Sequence, residues 1–69
     1  MPISHTKEFG IYLWDTFDDE TILIDEADSL EDAKAKVEKK YAGRIGPHGA
    51  DQVDIVDQNG NIVEKFSVG

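Results

Sequence analysis

The sequence predicts an α+β domain: a small ββαββ unit in which an antiparallel-rich, four-stranded sheet carries one helix packed on one face. Three observations predict it. Two β-branched runs, Val53–Val56 and Ile62–Val63, flank Asn59-Gly60, a strong local signal for a β-hairpin. Phe9-Gly-Ile-Tyr-Leu-Trp14 and Glu20-Thr-Ile-Leu-Ile24 are rich in β-formers and are separated by aspartates suited to a turn. Between these pairs, Leu30, Ala33, Val37 and Tyr41 recur at spacings of three, four and four, one stripe of an α-helix. The chain is expected to be one domain over 1–69, ordered from about 8 to 68, with residues 1–7 frayed.

The element order follows from local chemistry. The first strand reverses through Asp15-Thr-Phe-Asp-Asp19 into the second. Ser29 is an N-cap residue, and Asp32 three positions on makes an imperfect capping box. Asp32 and Lys36 stand at i,i+4 with the acid first, a pair that supports a helix by a few tenths of a kcal/mol. Gly43 stops the helix, and Gly43-Arg-Ile-Gly-Pro-His-Gly49 forms a loop before the closing hairpin. Strand order stays open. A crossover through the helix would set the third strand parallel to another strand, and simple hairpin stacking is equally writable.

Composition bounds the function. With 69 residues and no cysteine, the domain has neither disulfides nor thiolate metal sites as staples. A cytoplasmic setting is expected, since cysteine-free chains fit a reducing compartment and Met1–Glu8 lacks the layout of a signal peptide. No apolar run approaches the roughly 20 residues that span a bilayer. The net charge of −8 disfavours nucleic acid and anionic membranes as partners. Residues 1–33 hold ten acids against Lys7, whereas 34–44 hold five bases against Glu38. That polarity complements a helix macrodipole. A basic binding patch is the competing explanation.

Alternation supplies the functional expectation. Phe9, Ile11 and Leu13 share one face with Ile22, Ile24, Val53, Ile55, Ile62 and Phe66, which a single helix can cover. The opposite face then carries Tyr12, Trp14, Leu23, Val56 and Val63, and no second helix exists to bury it. These five residues are the candidate interface, because exposed apolar patches mark contact surfaces and aromatics are enriched there. The competing arrangement folds Trp14 over the loop beside Phe17.

No constellation specifies catalysis, a cofactor or a metal. Asp15, Asp18, Asp19 and Glu20 cluster, yet they lack the spacing of a calcium loop, and a solvated turn explains them. Asp57-Gln-Asn-Gly-Asn61 is explained by the hairpin it joins. His5 and His48 have no ligand spacing between them. The Gly43–Gly49 loop could cradle a phosphate with backbone amides, but it lacks the Lys-Ser/Thr ending of a P-loop. Ser4, Ser29 and Ser67 sit at a terminus, a cap and a strand end. Stacking of bases on Tyr12 and Trp14 is opposed by the acids around them.

The order of elements, with Ser29-Leu-Glu-Asp-Ala-Lys-Ala opening the helix and Val53-Asp-Ile-Val-Asp-Gln-Asn-Gly-Asn-Ile-Val closing the domain, resembles small bacterial domains of unknown function. The resemblance implies a fold and no site residues. The expected role is therefore non-catalytic: a protein-interaction module or homodimer using the open sheet face or an edge strand. The alternative is an acidic inhibitor, or nucleic-acid mimic, that docks on a basic protein.

Overall fold

β-Branched and aromatic residues build four strands, β1 (Phe9–Asp15), β2 (Glu20–Ala27), β3 (Asp51–Val56) and β4 (Ile62–Val68), with one helix, α1 (Leu30–Lys40), between β2 and β3. The computed structural model describes residues 5–15, 20–47 and 49–69. The strands form one sheet in the order β2-β1-β3-β4, antiparallel at every seam. This is the expected α+β, ββαββ architecture with one helix on one face.

The order settles what the sequence left open. β2 and β3 both run antiparallel to β1, which lies between them, so they point the same way. The chain therefore crosses over β1 through α1. Helix α1 starts where expected: Ser29 is extended at the cap, and its Oγ accepts a hydrogen bond from the Asp32 amide at 3.1 Å. Glu31 and Asp32 occupy the first turn, Lys39 and Lys40 the last, as the macrodipole favours. Tyr41 caps the C-terminus, and Gly43 takes a positive φ of 76° just beyond it.

Ala33, Val37 and Tyr41 from the helix stripe pack on Ile11, Ala27, Val53, Ile55 and Val68. Phe9, Leu13, Ile24, Leu30 and Phe66 close over the edges of this core. One predicted member is displaced. Simple alternation puts Ile62 on this face, but it pairs with Val56, and directly opposed residues share a face. The cause is a β-bulge. Ile55 faces Glu64 and Val56 faces Ile62, leaving Val63 as the extra residue, so the alternation of β4 slips by one. A second bulge lies in β2, where Ile11 faces Asp25 and Tyr12 faces Leu23, with Ile24 extra.

The hairpin turns where Asn59-Gly60 predicts, through a loop closed by Asp57 and Asn61. The Asp57 amide donates to the Asn61 carbonyl at 2.9 Å, and the Gly60 amide donates to the Asp57 carbonyl at 3.2 Å. Gly60 holds a φ of 85°. The Asp57 carboxylate accepts from the amides of Asn59 at 2.8 Å and Asn61 at 2.9 Å.

Candidate interaction surface

The sheet face opposite α1 carries Gly10, Tyr12 and Trp14 from β1, with Glu26, Leu23 and Thr21 opposite them on β2. Across the other seam lie Val56, Asp54 and Gln52 of β3, and beyond them Ile62, Lys65 and Ser67 of β4. Sequence alternation places an open apolar surface here. The structure fills its centre from an unexpected source: residues 5–8, expected to be frayed through position 7, fold back across the sheet as a strap.

His5 is the plug of this strap and is only 5% exposed. Its ring lies over Gly10, where a Cβ would stand 2.6 Å from His5 Cγ and 2.8 Å from Tyr12 Cε1. No residue but glycine leaves that slot. His5 Nδ1 hydrogen-bonds the Tyr12 hydroxyl at 2.8 Å, and the two rings meet edge-on at 5.7 Å. Glu26 Oε1 accepts from two consecutive backbone amides, Thr6 at 2.5 Å and Lys7 at 3.2 Å. The Gln58 side-chain amide, from the β3–β4 loop, donates to the Lys7 carbonyl. Among the described residues the strap is thus held from β1, β2 and the far hairpin together.

Two of the five candidate interface residues are buried on this face, Tyr12 of them against His5. Tyr12 is 3% exposed and Val56 1%, so neither offers a surface. They are buried outside the helix-side core, beneath the strap side of the sheet. Tyr12 is therefore no platform for a base. Trp14 at 38% and Val63 remain exposed, and Leu23 is half-buried. Val63 does not join the others, because the β4 bulge takes it out of the expected alternation at the far end of the sheet. Trp14 and Leu23 do stay together, on diagonal positions of β1 and β2, bordered by Thr21, Gln52 and Ser67. That is an apolar centre with a polar rim. Phe17, the alternative neighbour of Trp14, lies outside the described residues.

Both sheet edges are blunted. β2 carries its bulge at Ile24, and Lys36 Nζ of the helix donates to the carbonyl of Glu26 at 2.6 Å. β4 carries its bulge at Val63. Its C-terminal end is bridged by Ile45 to Val68, with Gly46 N donating to Ser67 O at 3.0 Å and Gly69 N to Arg44 O at 3.0 Å. Bulges, lysines and covering loops are the devices that stop edge-to-edge pairing. Both described edges are thus guarded against pairing with another strand.

The other expected sites resolve into structural roles. Amides of the glycine loop that could cradle phosphate are engaged: Arg44 N on Tyr41 O, Gly46 N on Ser67 O, Gly49 N on Gly46 O. Arg44 Nε donates to the Gly69 carbonyl at 2.9 Å, with its guanidinium 5.6 Å over the Tyr41 ring. Of the basic run, Lys34 pairs with Glu64 at 3.7 Å, and Lys36 with Asp32 at 3.6 Å and Asp25 at 3.9 Å. Lys36, Lys39 and Lys40 line a shallow open depression beside Asp25. Asp18, Asp19 and His48 lie outside the described residues, as does the Asp15 side chain. Among the described residues no group of three or more histidines and carboxylates is placed to hold a metal, and no helix is long and apolar enough to cross a membrane.

The strap also sets a pH dependence. The amide hydrogen bonds from Thr6 and then Lys7 hold the Glu26 carboxyl below its ordinary value. The Asn61 amide foremost does the same for Asp57. Both pKa values fall on folding, so their stabilisation is complete above the carboxylate range and disappears as pH drops through and below about 4. A melting-temperature series from neutral to strongly acidic pH is expected to fall there. Glu26→Gln together with Asp57→Asn should flatten the fall, and an unaltered slope would refute the assignment.

His5, Glu26 and Gln58 are site residues that sequence reasoning misses. The one available signal is Gly10, since a lone glycine inside a strand marks close approach by another group. No protein-family model, curated protein or solved structure matches the chain.

Proposed function

We propose that this protein is a non-catalytic binding module. It associates with a protein surface, a second copy of itself included, through the sheet face at its Trp14–Leu23 end. One observation carries the reading: an exposed tryptophan beside a half-buried leucine, on the face the helix does not cover, within a rim of Thr21, Gln52 and Ser67. Tryptophan is among the side chains that dominate binding energy where it seats in a partner. A cytoplasmic setting fits a chain without cysteine. For the acidic-mimic reading, whose test residues Asp18 and Asp19 lie outside the described residues, five other carboxylates are engaged within the chain: Glu26 and Asp57 by backbone amides, Asp25, Asp32 and Glu64 by lysines.

The test is the molar mass in solution, by light scattering over a concentration series at about 0.15 M and then about 0.5 M salt, which shortens the reach of charge interactions. A dimer that survives the higher salt and is lost in Trp14→Ala is the expected result. A monomer at all concentrations would overturn the self-associating form. A dimer indifferent to Trp14→Ala would overturn the face.

A further inference from the structure

We propose that the groove across Gly10 is a recognition slot for an extended peptide of a partner protein, and that residues 5–8 occupy it in cis as an autoinhibitory plug. This rests on the reading of the chain as a binding module but not on Trp14. The seated segment defines the ligand class, because each of its contacts reads a feature any extended peptide of the same chemistry could offer.

Glu26 accepts from two successive main-chain amides, and Gln58 donates to the Lys7 carbonyl of the strap itself. Those contacts read backbone and tolerate any sequence. The glycine floor and the Tyr12 hydroxyl read one side chain, planar and no larger than an imidazole, with a hydrogen-bonding edge. A surface ion pair favours a basic residue C-terminal to that side chain. Lys7, two residues after the plug, lies 4.0 Å from Asp28. The partner segment is accordingly histidine with a basic residue two positions later, in extended conformation.

The cis plug is imperfect. Its Nε2 is buried with no hydrogen-bond partner among the described residues, a cost that works against the closed state. The residues that hold it are also dispersed over three elements that exist without it. A slot so built opens at a finite rate, and a ligand in trans must compete with the tethered segment.

The experiment uses the full chain with His5→Gly, which empties the side-chain socket and loosens the tethered segment, whose remaining hold is through the Thr6 and Lys7 amides and the Lys7 carbonyl. The probe is an acetylated synthetic peptide of residues 1–8, titrated while amide shifts are followed by NMR. Saturable binding is expected, with shifts at Gly10, Tyr12, Glu26 and Gln58. A plug seated about nine-tenths of the time weakens apparent affinity about tenfold, so the unaltered chain should bind the probe roughly that much less tightly. Tyr12→Phe in the His5→Gly background should weaken binding without unfolding the chain, as shift dispersion will show. Absence of saturable binding to the His5→Gly chain would overturn the slot, as would shifts confined elsewhere. Equal affinity for both chains would overturn the plug. None of these outcomes depends on oligomeric state, so failure here is distinct from failure at Trp14.

Discussion

Ile55→Ala is expected to remove a large share of the protein's stability. Ile55 is fully buried in β3, between Ile11 of the adjacent strand and the helix stripe. Truncating a buried isoleucine to alanine costs about 2–5 kcal/mol, the upper values where the surroundings cannot collapse into the cavity. Here they cannot collapse readily, since β3 is an inner strand with β1 on one side and β4 on the other. At roughly 0.05–0.15 kcal/mol per residue, a chain of 69 residues has a total stability of only about 3–10 kcal/mol. Chemical denaturation should show a midpoint reduced by half or more with a similar slope. Ile62→Ala is the control: Ile62 is exposed, and its loss should shift the midpoint little. Similar effects for the two variants would refute the placement of the core.

Gly49→Ala is expected to be the most damaging single methyl addition among the described glycines. A Cβ there would stand 2.5 Å from the Val68 carbonyl carbon and 2.6 Å from its oxygen. These are main-chain atoms, so no rotamer change relieves the clash. Overpacking of this kind costs about 1–3 kcal/mol, and more where backbone must move. The motion would separate the 44–46 loop from β4, breaking the Ile45–Val68 bridge. Hydrogen exchange should then accelerate at the amides of Gly46 and Gly69, which donate to Ser67 and Arg44 across that seam. Gly46→Ala provides the contrast, because its added Cβ meets open space. Gly49→Ala with unaltered stability and exchange would refute the close approach.

What the chain discloses in sequence is what short-range chemistry decides. Ser29, the Leu30–Tyr41 stripe and Asn59-Gly60 each act within a few residues, and the helix and closing hairpin lie where they predict. The bulges are harder to see. Nothing in Glu20–Ala27 distinguishes Ile24 as the extra residue, because the slip is decided by pairing with β1. The same holds at Val63, and this is why Ile62 changes faces. The strap escapes for a related reason. His5 looks like a terminal residue with no ligand spacing, and its partners Gly10, Tyr12, Glu26 and Gln58 come together only once the sheet exists. Of the candidate surface, Trp14 and Leu23 are legible from alternation alone, whereas Tyr12 and Val56 belong to the expected face but are buried, Tyr12 against His5.

The strand order has a consequence for how the molecule comes together. β1 with β2, and β3 with β4, are hairpins of neighbouring sequence, each closed by its own short connection. Among the described strand pairings, only the β1–β3 seam joins residues some forty positions apart, as Ile11 with Ile55. The domain is therefore two local units fastened along one distant seam, with α1 as the strut that spans it. Loop-closure entropy falls on that single step, so it sets the pace of assembly. Lengthening the connection between α1 and β3 would slow this step only gently, because the entropic cost of a longer loop grows with the logarithm of its length.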